Sequence, residues 1–290
     1  MSKSKYYTFR AQPTPSSRKA LDTFPEFVQD LLFGRDILSE SAANAFFNPD
    51  YDVHVHNPFL LKDMDVAVER LLQAIEAKEH IAIYSDFDAD GIPGGALMHD
   101  ALVKIGHTRF TNYIPHRDTQ GYGFHKKAVD TLHDAGVTLI VTVDVGITDA
   151  DTVEYASSLG IDTIVTDHHV PGDLLPQAVA VVNPQRKDET YPNKHLCGSG
   201  VAFKLLQALF LRAREKDLSW MEDVQEGWEK WLLDLVAIAT VADMMPLVDE
   251  NRVLVHHGLF VLRKSRRPGV QALCRRMGIS QPHMSEDDIG

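Results

Sequence analysis

Three aspartates stand at alternate positions, Asp86, Asp88 and Asp90, directly behind a short apolar segment. The apolar segment, residues 81–84, is typical of a buried β-strand, so the acids fall in the loop where that strand ends. Carboxylates this close together repel one another and raise each other's pKa unless a cation lies between them. The run therefore predicts a strand followed by a metal-binding loop.

The same spacing also opens the calcium loop of an EF-hand, which is the first alternative for this run. The twelfth position of that loop supplies a bidentate glutamate, and counting from Asp86 the twelfth position here is Leu97. The run also follows a β-type segment, whereas an EF-hand loop follows a helix. Both points disfavour an EF-hand.

Beyond residue 80 the chain alternates between short apolar runs and amphipathic helical stretches. The predicted strands cover residues 81–84, 110–114, 139–143, 163–166 and 178–182. This alternation predicts an α/β fold, a mostly parallel sheet flanked by helices, with ligands beyond the carboxyl ends of the strands. Residues 17–80 are predicted to be mainly helical, most clearly from Met64 to Ile75, where Asp63 is a candidate N-terminal cap.

Metal-binding residue types follow two more predicted strands and one predicted helix. They are Asp144 after residues 139–143, Asp167-His168-His169 after residues 163–166, and Asp243 after the helical run 231–241. We expect them to converge with the first three acids, because parallel strands end at one edge of a sheet. Asp144 and Asp243 also fit simple helix-end roles. The adjacent imidazoles are more discriminating, since neutral ring nitrogens favour transition-type ions over calcium.

The distribution of charge qualifies what the net charge of −12 suggests about partners. An acidic balance argues against a nucleic-acid partner. Residues 251–285, however, contain no acidic residue and seven basic ones, Arg252, Arg263, Lys264, Arg266, Arg267, Arg275 and Arg276. Such a segment is compatible with a bound polyanion and equally with a solvated helix face.

Cysteine usage and the terminal segment indicate the compartment. The chain has two cysteines, Cys197 and Cys274, too few for a disulfide framework. The N-terminal residues lack the apolar core of a signal peptide, and no run approaches the roughly 18 apolar residues of a membrane span. We expect a soluble cytoplasmic protein.

The ordered series of motifs resembles the DHH phosphoesterase superfamily and, within it, the RecJ-type single-strand-specific exonucleases. The resemblance extends from about residue 60 to the end of the chain. The matching motifs are Asp86-Phe87-Asp88-Ala89-Asp90-Gly91, Val143-Asp144-Val145-Gly146-Ile147, Val165-Thr166-Asp167-His168-His169, Asn183-Pro184, Gly198-Ser199-Gly200-Val201-Ala202-Phe203 and Thr240-Val241-Ala242-Asp243-Met244-Met245-Pro246-Leu247.

The resemblance implies a two-metal hydrolase. Two divalent ions, Mn²⁺ or Mg²⁺, are implied to bind Asp88, Asp90, Asp144, His168 and Asp243. Asp144 is the implied bridging ligand, His169 an implied donor to the phosphoryl group, and Asp86 a ligand or an acceptor that orients water. Mixed Asp/His ligation suits Mn²⁺ better than Mg²⁺, so we expect higher activity with manganese.

The implied substrate is single-stranded DNA, degraded 5′ to 3′ to mononucleotides, as in DNA repair and recombination. The loop at residues 114–123 resembles the RecJ version, with Arg117 placed to bind a phosphate and Tyr122 to pack beside a base. Without the resemblance, that loop is typical of a glycine-rich turn. A groove that holds the strand by charge is implied to be lined by Arg263, Arg266 and Arg267.

Two other functions stay open from the sequence. One is a phosphodiesterase for small substrates, such as oligonucleotides or cyclic dinucleotides, and the other is a non-catalytic DHH scaffold that binds metal or nucleic acid. Tyr84 departs from the pattern, because several branches place a metal-binding histidine four residues before Asp88, so one ion is expected to be held loosely.

The predicted organisation has three parts. Residues 1–79 form a mainly helical region packed on the core, residues 80–250 the DHH catalytic domain, and residues 251–290 a basic linking helix. That helix is expected to lead to a second domain that is absent from this chain, or that a partner protein supplies. Weak or non-processive cleavage is the expected consequence.

Overall fold

The computed structural model describes residues 11–290, and the chain divides into two compact units, Met1–Val55 and His56–Gly290. The described part of the first unit is helical, as predicted, with a small core of Leu21, Leu32, Ile37 and Ala43. Its helices are α1 (Pro15–Ala20), α2 (Glu26–Phe33), α3 (Glu40–Phe47) and α4 (Tyr51–His54).

The second unit is built on a five-stranded, entirely parallel sheet, which confirms the predicted fold class. The strands are β1 (Ile81–Ser85), β2 (Phe110–Tyr113), β3 (Leu139–Val143), β4 (Asp162–Thr166) and β5 (Ala180–Val182), in the order β2-β1-β3-β4-β5. Every residue of β1 and β3 is buried, because helices cover both faces of the sheet.

The described part of this unit also contains eight α-helices. They are α5 (Met64–Glu76), α6 (Gly91–Lys104), α7 (Lys126–Asp134), α8 (Ala150–Ser158), α9 (Gly198–Glu215), α10 (Leu233–Ala242), α11 (Asp249–Leu262) and α12 (Pro268–Met277). Helices α7 and α8 pack on the face formed by Ala82, Ile140 and Val165, while α6 and α9 pack on each other and contact β1 and β3. Among the described residues, no helix is both long and apolar enough to cross a membrane.

The strand order positions the ligand site. The chain leaves β1 for β2 on one side and continues from β3 to β5 on the other, so the direction of winding reverses between β1 and β3. In sheets of this kind, ligands bind outside the carboxyl ends of the strands at that reversal. The loops after β1 and β3 begin with Asp86 and Asp144.

A buried ion pair anchors α11 on α9. Lys204 Nζ lies 2.8 Å from Glu250 Oε1, and both side chains are fully buried. The same ammonium donates to the carbonyl of His56, and Glu250 Oε2 accepts a 2.6 Å hydrogen bond from the Tyr191 hydroxyl. Each charged group of this network therefore has its partners within the chain.

Two features of the helices differ from expectation. Asp63 does not cap α5, because its positive φ of 61° turns the side chain toward β5, where it accepts from Val181 N and Arg186 Nη1. Residues 251–290 contain most of α11 and all of α12 in place of a single helix, and Leu262 of α11 and Cys274 of α12 belong to one hydrophobic cluster. The three-part domain division and the linking role stay predictions.

Candidate metal centre

Carboxylates and imidazoles from four segments of the chain meet at the carboxyl edge of β1, β3 and β4. Among the described residues they form three groups, and within each group the potential ligand atoms lie within 4.8 Å of one another. The groups are Asp86, Asp88 and Asp144; Asp144, His168 and His169; and Asp90, His168 and Asp243. Asp144 and His168 each belong to two groups, so the three groups form one connected centre.

The loop after β1 is folded so that its aspartates face this centre. Asp88 Oδ1 accepts from the N–H groups of Asp90 and Gly91, each at 2.9 Å, which closes a tight turn. A Cβ at Gly91 would lie 2.6 Å from the carbonyl oxygen of Asp86. Glycine is therefore required for the loop to pass this close to itself.

Asp90 is held by the start of α9. Its Oδ2 accepts from Gly198 N at 2.6 Å and its Oδ1 from Ser199 N at 2.7 Å. The N-terminus of a helix favours a negative charge, because its free N–H groups and dipole point toward the anion. The motif beginning at Gly198, which the sequence analysis assigned no role, thus fixes one carboxylate of the centre.

Asp144 lies at the middle of the site, in the left-handed conformation (φ 62°) directly after β3, and is 1% exposed. Its Oδ1 is 3.2 Å from His168 Nε2 and 3.8 Å from His169 Nδ1. A Cβ at Gly198 would lie 2.5 Å from the Cβ of Asp144. The start of α9 therefore packs directly against this aspartate.

Asp167 orients the two histidines, a role that the sequence analysis missed. Its Oδ1 accepts from the backbone N–H groups of His168 and His169 and from His169 Nδ1, and its Oδ2 accepts from Ile147 N. The Nδ1–H of His169 faces a carboxylate, which leaves Nε2 as the free ring nitrogen. The available signal was an acid immediately before a histidine pair, at the end of a strand.

Asp243 reaches the centre from the opposite side. It is the C-terminal cap of α10, and Met244 follows in the left-handed conformation (φ 56°), which turns the chain away before Pro246. Asp243 Oδ2 lies 3.6 Å from His168 Nε2, and Asp90 Oδ2 lies at the same distance from that nitrogen. His168 is therefore shared by carboxylates from two helix ends.

The electrostatics of the centre match a site for cations. Burial, followed by the charge of Asp90, raises the pKa values of Asp144 and Asp243, and burial raises the pKa of Asp86. Within residues 11–290, Asp86 Oδ1, Asp144 Oδ1 and Asp243 Oδ2 are buried oxygens without a hydrogen-bond partner. Buried polar atoms are normally paired. Divalent cations supply the missing partner, so the residues present fit a metal centre.

The loop that carries the predicted substrate residues lies beside the centre. The Tyr122 hydroxyl is 3.3 Å from His169 Nδ1, and the Tyr122 side chain is about half exposed. The guanidinium of Arg117 stacks on the ring of Phe87, 4.7 Å from its centroid. Phe87 stands in the sequence between two acidic ligand candidates, Asp86 and Asp88. Tyr84, buried beneath this loop, donates to the carbonyl of Gly123 at 2.8 Å.

Arg267, in the basic C-terminal segment, forms two ion pairs. Arg267 pairs with Asp100 and Asp234, which stand ten residues after Asp90 in α6 and nine residues before Asp243 in α10. At 1.5 Å per residue, both partners lie about 14 Å from the metal centre along their helices. The predicted role of Arg267 in lining a groove for the strand stays a prediction.

The other two arginines of that prediction differ in their surroundings. Arg263 Nε donates to the carbonyl oxygen of Met284 at 2.8 Å, and its guanidinium lies over the ring of Phe260. Arg266 is exposed. Their role in holding a strand stays a prediction.

The sequence of this chain matches a known protein family. The model of the DHH family, N-terminal domain, matches residues 80–240, the range that contains β1 to β5 and most of the ligand candidates. This chain belongs to the DHH family. Among DHH-family relatives, it is 38% identical over 263 residues to the single-stranded-DNA-specific exonuclease RecJ of Bacillus subtilis (strain 168), covering 91% of this chain and 31% of that protein.

Further relatives and solved structures agree with this DHH-family assignment. The chain is 41% identical over 233 residues to RecJ of Escherichia coli (strain K12), covering 79% of this chain and 40% of that protein. A crystal structure of exonuclease RecJ bound to manganese matches with a TM-score of 0.67 at 32% identity, covering 79% of this chain and 55% of that one.

The crystal structure of RecJ from Thermus thermophilus in complex with Mn²⁺ matches with a TM-score of 0.74 at 26% identity, covering 97% of this chain and 38% of that one. The present chain thus spans about a third to two fifths of the length of the two curated relatives from Bacillus subtilis and Escherichia coli.

Proposed function

We propose that this chain is the catalytic portion of a metal-dependent exonuclease that hydrolyses single-stranded DNA from the 5′ end to mononucleotides. The observation that carries the proposal is the connected set of three ligand groups, in which buried carboxylate oxygens have no hydrogen-bond partner within the described chain. The similarity to RecJ proteins supports the choice of substrate.

We assign the metal ligands from the groups and their shared members. The proposed ligands of two divalent ions are Asp88, Asp90, Asp144, His168 and Asp243. Asp144 is proposed to bridge, because it is shared between the group after β1 and the group that contains both histidines. Mn²⁺ is the favoured ion, since the donor set mixes imidazole with carboxylates and solved RecJ structures contain manganese.

Two divalent ions held by these residues would offset the charge of the phosphodiester and would activate a water for in-line displacement. The protein's own residues position and complete that chemistry. His169, held by Asp167 through Nδ1, presents Nε2 as a hydrogen-bond donor to a phosphoryl oxygen when protonated. The hydrogen bond to Asp167 raises the pKa of His169 and so favours that protonated form. Asp86 Oδ1 is free to accept a hydrogen bond from a water.

The loop beside the centre supplies the proposed contacts to the strand. Tyr122 stands next to His169 with half of its surface exposed, where a terminal base can pack against its ring. The guanidinium of Arg117 lies over the ring of Phe87, in the loop that carries Asp86 and Asp88, where it can bind the phosphate that follows the scissile one. Neither contact reads base identity, which suits an exonuclease without sequence preference.

The coverage of the relatives bears on how the strand is held. Because the chain spans only 31–40% of the length of the two curated RecJ relatives, we propose that a further domain or a partner protein completes the groove for the strand. Cleavage by this chain alone is then weak or non-processive. The two free, buried cysteines support a cytoplasmic location.

The test is cleavage of end-labelled substrates by the purified chain with Mn²⁺ or Mg²⁺. We expect mononucleotides from 5′-labelled single strands, no product from duplex DNA, and more product with Mn²⁺. Asp144→Asn serves as the inactive control. Cleavage of a dinucleotide alone would move the function to the small-substrate phosphodiesterases. No cleavage of any substrate, with Mn²⁺ bound, would refute catalysis by this chain alone and favour the scaffold function.

A further inference from the structure

Asn251, on the first turn of α11, is 1% exposed, and its amide is fully used in hydrogen bonds. Nδ2 donates to the carbonyl oxygens of His195, at 2.5 Å, and of Pro246, at 3.1 Å. Oδ1 accepts from Asn193 Nδ2 at 3.0 Å. A primary amide combines two N–H donors with an acceptor, so one side chain connects two separate loops.

The first of these loops leads to Asp90. His195 stands three residues before Gly198, and the two residues between them are buried. The N–H groups of Gly198 and Ser199 hold both carboxylate oxygens of Asp90. A displacement of the His195 carbonyl is therefore passed to the start of α9 and from there to Asp90.

The second loop leads to Asp243. Pro246 stands three residues after Asp243, and the turn between them is held by hydrogen bonds from Met244 N and Met245 N to carbonyls of α10. The proline ring fixes its own φ, which limits how far this turn can adjust. The carbonyl of Pro246 is therefore a short, stiff link from Asn251 to Asp243.

Asp90 and Asp243 are members of the same ligand group, together with His168. We infer that Asn251 is a positioning residue that sets the spacing of Asp90 and Asp243 and thereby the affinity of the cation bound there. The inference rests on the proposed metal-dependent function. It assigns a role in this group to a residue that lies outside the centre.

The group of Asp86, Asp88 and Asp144 indicates which metal site a change at Asn251 affects most. Asp86 and Asp144 directly follow β1 and β3, whose pairing fixes the ends of both strands, although the start of α9 also packs against Asp144. The hydrogen bonds of Asn251 go to the loops before α9 and after α10. A change at Asn251 is therefore expected to weaken the metal site that contains both Asp90 and Asp243 more than the site that contains Asp86 and Asp88.

The experiment is a titration of the full chain with Mn²⁺. Binding is measured by calorimetry and by the electron paramagnetic resonance signal of free Mn²⁺. Asn251→Asp keeps the size of the side chain but removes both donated bonds. Residues that orient metal ligands typically change affinity by about 10–100-fold when they are replaced. We expect two classes of sites in the wild type, one of which weakens by about tenfold or more in Asn251→Asp.

Two further variants separate positioning from general destabilisation. Tyr191→Phe keeps the aromatic ring and removes a buried 2.6 Å hydrogen bond to Glu250, the neighbour of Asn251, while the hydrogen bonds of Asn251 to His195 and Pro246 stay in place. We expect both classes of Mn²⁺ sites to be unchanged in it. Asn251→Ser retains one donor and serves if Asn251→Asp does not fold. For each variant, the rise in Tm produced by Mn²⁺ gives a readout that does not depend on catalysis.

The possible outcomes distinguish this inference from the proposed function. A folded Asn251 variant with unchanged affinity for both classes would overturn the positioning role. Equal weakening of both classes, or the same loss in Tyr191→Phe, would also overturn it, because it would indicate general destabilisation. A wild-type chain that binds no Mn²⁺ would refute the proposed metal-dependent function itself.

Discussion

The metal centre and the Lys204–Glu250 network both bury charged groups, but only one of them satisfies these groups with the protein's own atoms. Lys204 and Glu250 form a fully buried ion pair that also bonds Tyr191 and the backbone of His56. At the metal centre, one buried oxygen on each of Asp86, Asp144 and Asp243 has no hydrogen-bond partner in the described part of the chain.

This difference in hydrogen bonding distinguishes polar groups that stabilise the fold from polar groups that bind a ligand. A buried, paired network contributes to one folded state, and its loss of a partner leaves a charge uncompensated. A buried cluster of like charges is unfavourable in the fold itself and becomes favourable only when a cation binds. The two regions should therefore respond in opposite ways to removal of a carboxylate.

The largest expected effect is that of Asp144→Asn. We expect cleavage to fall to the background without enzyme, because the substitution removes the carboxylate shared by two ligand groups. The metal-free variant should be more stable than the metal-free wild type, since one buried acid among acids is neutralised. Urea unfolding with a chelator measures this. A metal-free variant that is less stable would break the comparison.

Glu250→Gln should have the opposite effect on stability. It leaves the buried ammonium of Lys204 without its counter-charge, which typically costs about 3–5 kcal/mol of unfolding free energy. Urea unfolding measures the loss. The double variant Lys204→Met/Glu250→Gln should recover most of it, and a double variant as unstable as the single one would contradict the ion-pair explanation.

Gly198→Ala tests how closely the metal centre is packed. The added Cβ would lie 2.5 Å from the Cβ of Asp144, so we expect Asp144 to shift and Mn²⁺ affinity to fall by about 10–100-fold. Calorimetric titration measures this affinity. Gly269→Ala is the matched control, because no atom lies within 4 Å of its added Cβ. Equal affinities in the two variants would argue against direct packing on Asp144.

The smallest expected effect is a pH dependence at the edge of the paired network. The hydrogen bond with Asp249 raises the pKa of His56, although burial opposes it. A raised pKa contributes stability below the unfolded value of about 6.5, and this is lost as pH rises through the folded pKa. Because Asp249 is half exposed, we expect less than about 1 kcal/mol.

The comparison for His56 is between the wild type and Asp249→Asn, unfolded with urea at about pH 5.5 and about pH 8.5, on either side of the ordinary histidine pKa. The stability difference between the two proteins should be larger at the lower pH, where His56 is charged. A difference that is the same at both pH values would show that the pair contributes nothing through charge.

The sheet was predictable because its signal is local. Each predicted strand lies within two residues of the observed one, since short apolar runs between helical stretches leave few alternatives. The meeting of Asp86, Asp144 and His168 at one edge followed from the rule that parallel strands share their carboxyl ends. Local pattern and topology together were sufficient for this part of the site.

Partners that are distant in sequence were not predictable. The sequence around Arg267 predicts an unpaired cation, but Arg267 forms ion pairs with Asp100 and Asp234 in the fold. Asp63 stands where a cap is expected, and a left-handed backbone turns it toward Arg186 instead. The role of Asn251 likewise depends on two loops that meet only in the folded chain.

The ligands of the metal centre are spread along the chain from Asp86 to Asp243, and the spacing of two of them involves Asn251. During synthesis, the N-terminal half of the ligand set emerges from the ribosome long before Asp243 does. A cation that binds through Asp243 cannot stabilise a shorter nascent chain, because its binding free energy becomes available only after α10 has been made and folded. Metal capture at that group therefore reports that the chain has been synthesised and folded as far as α10.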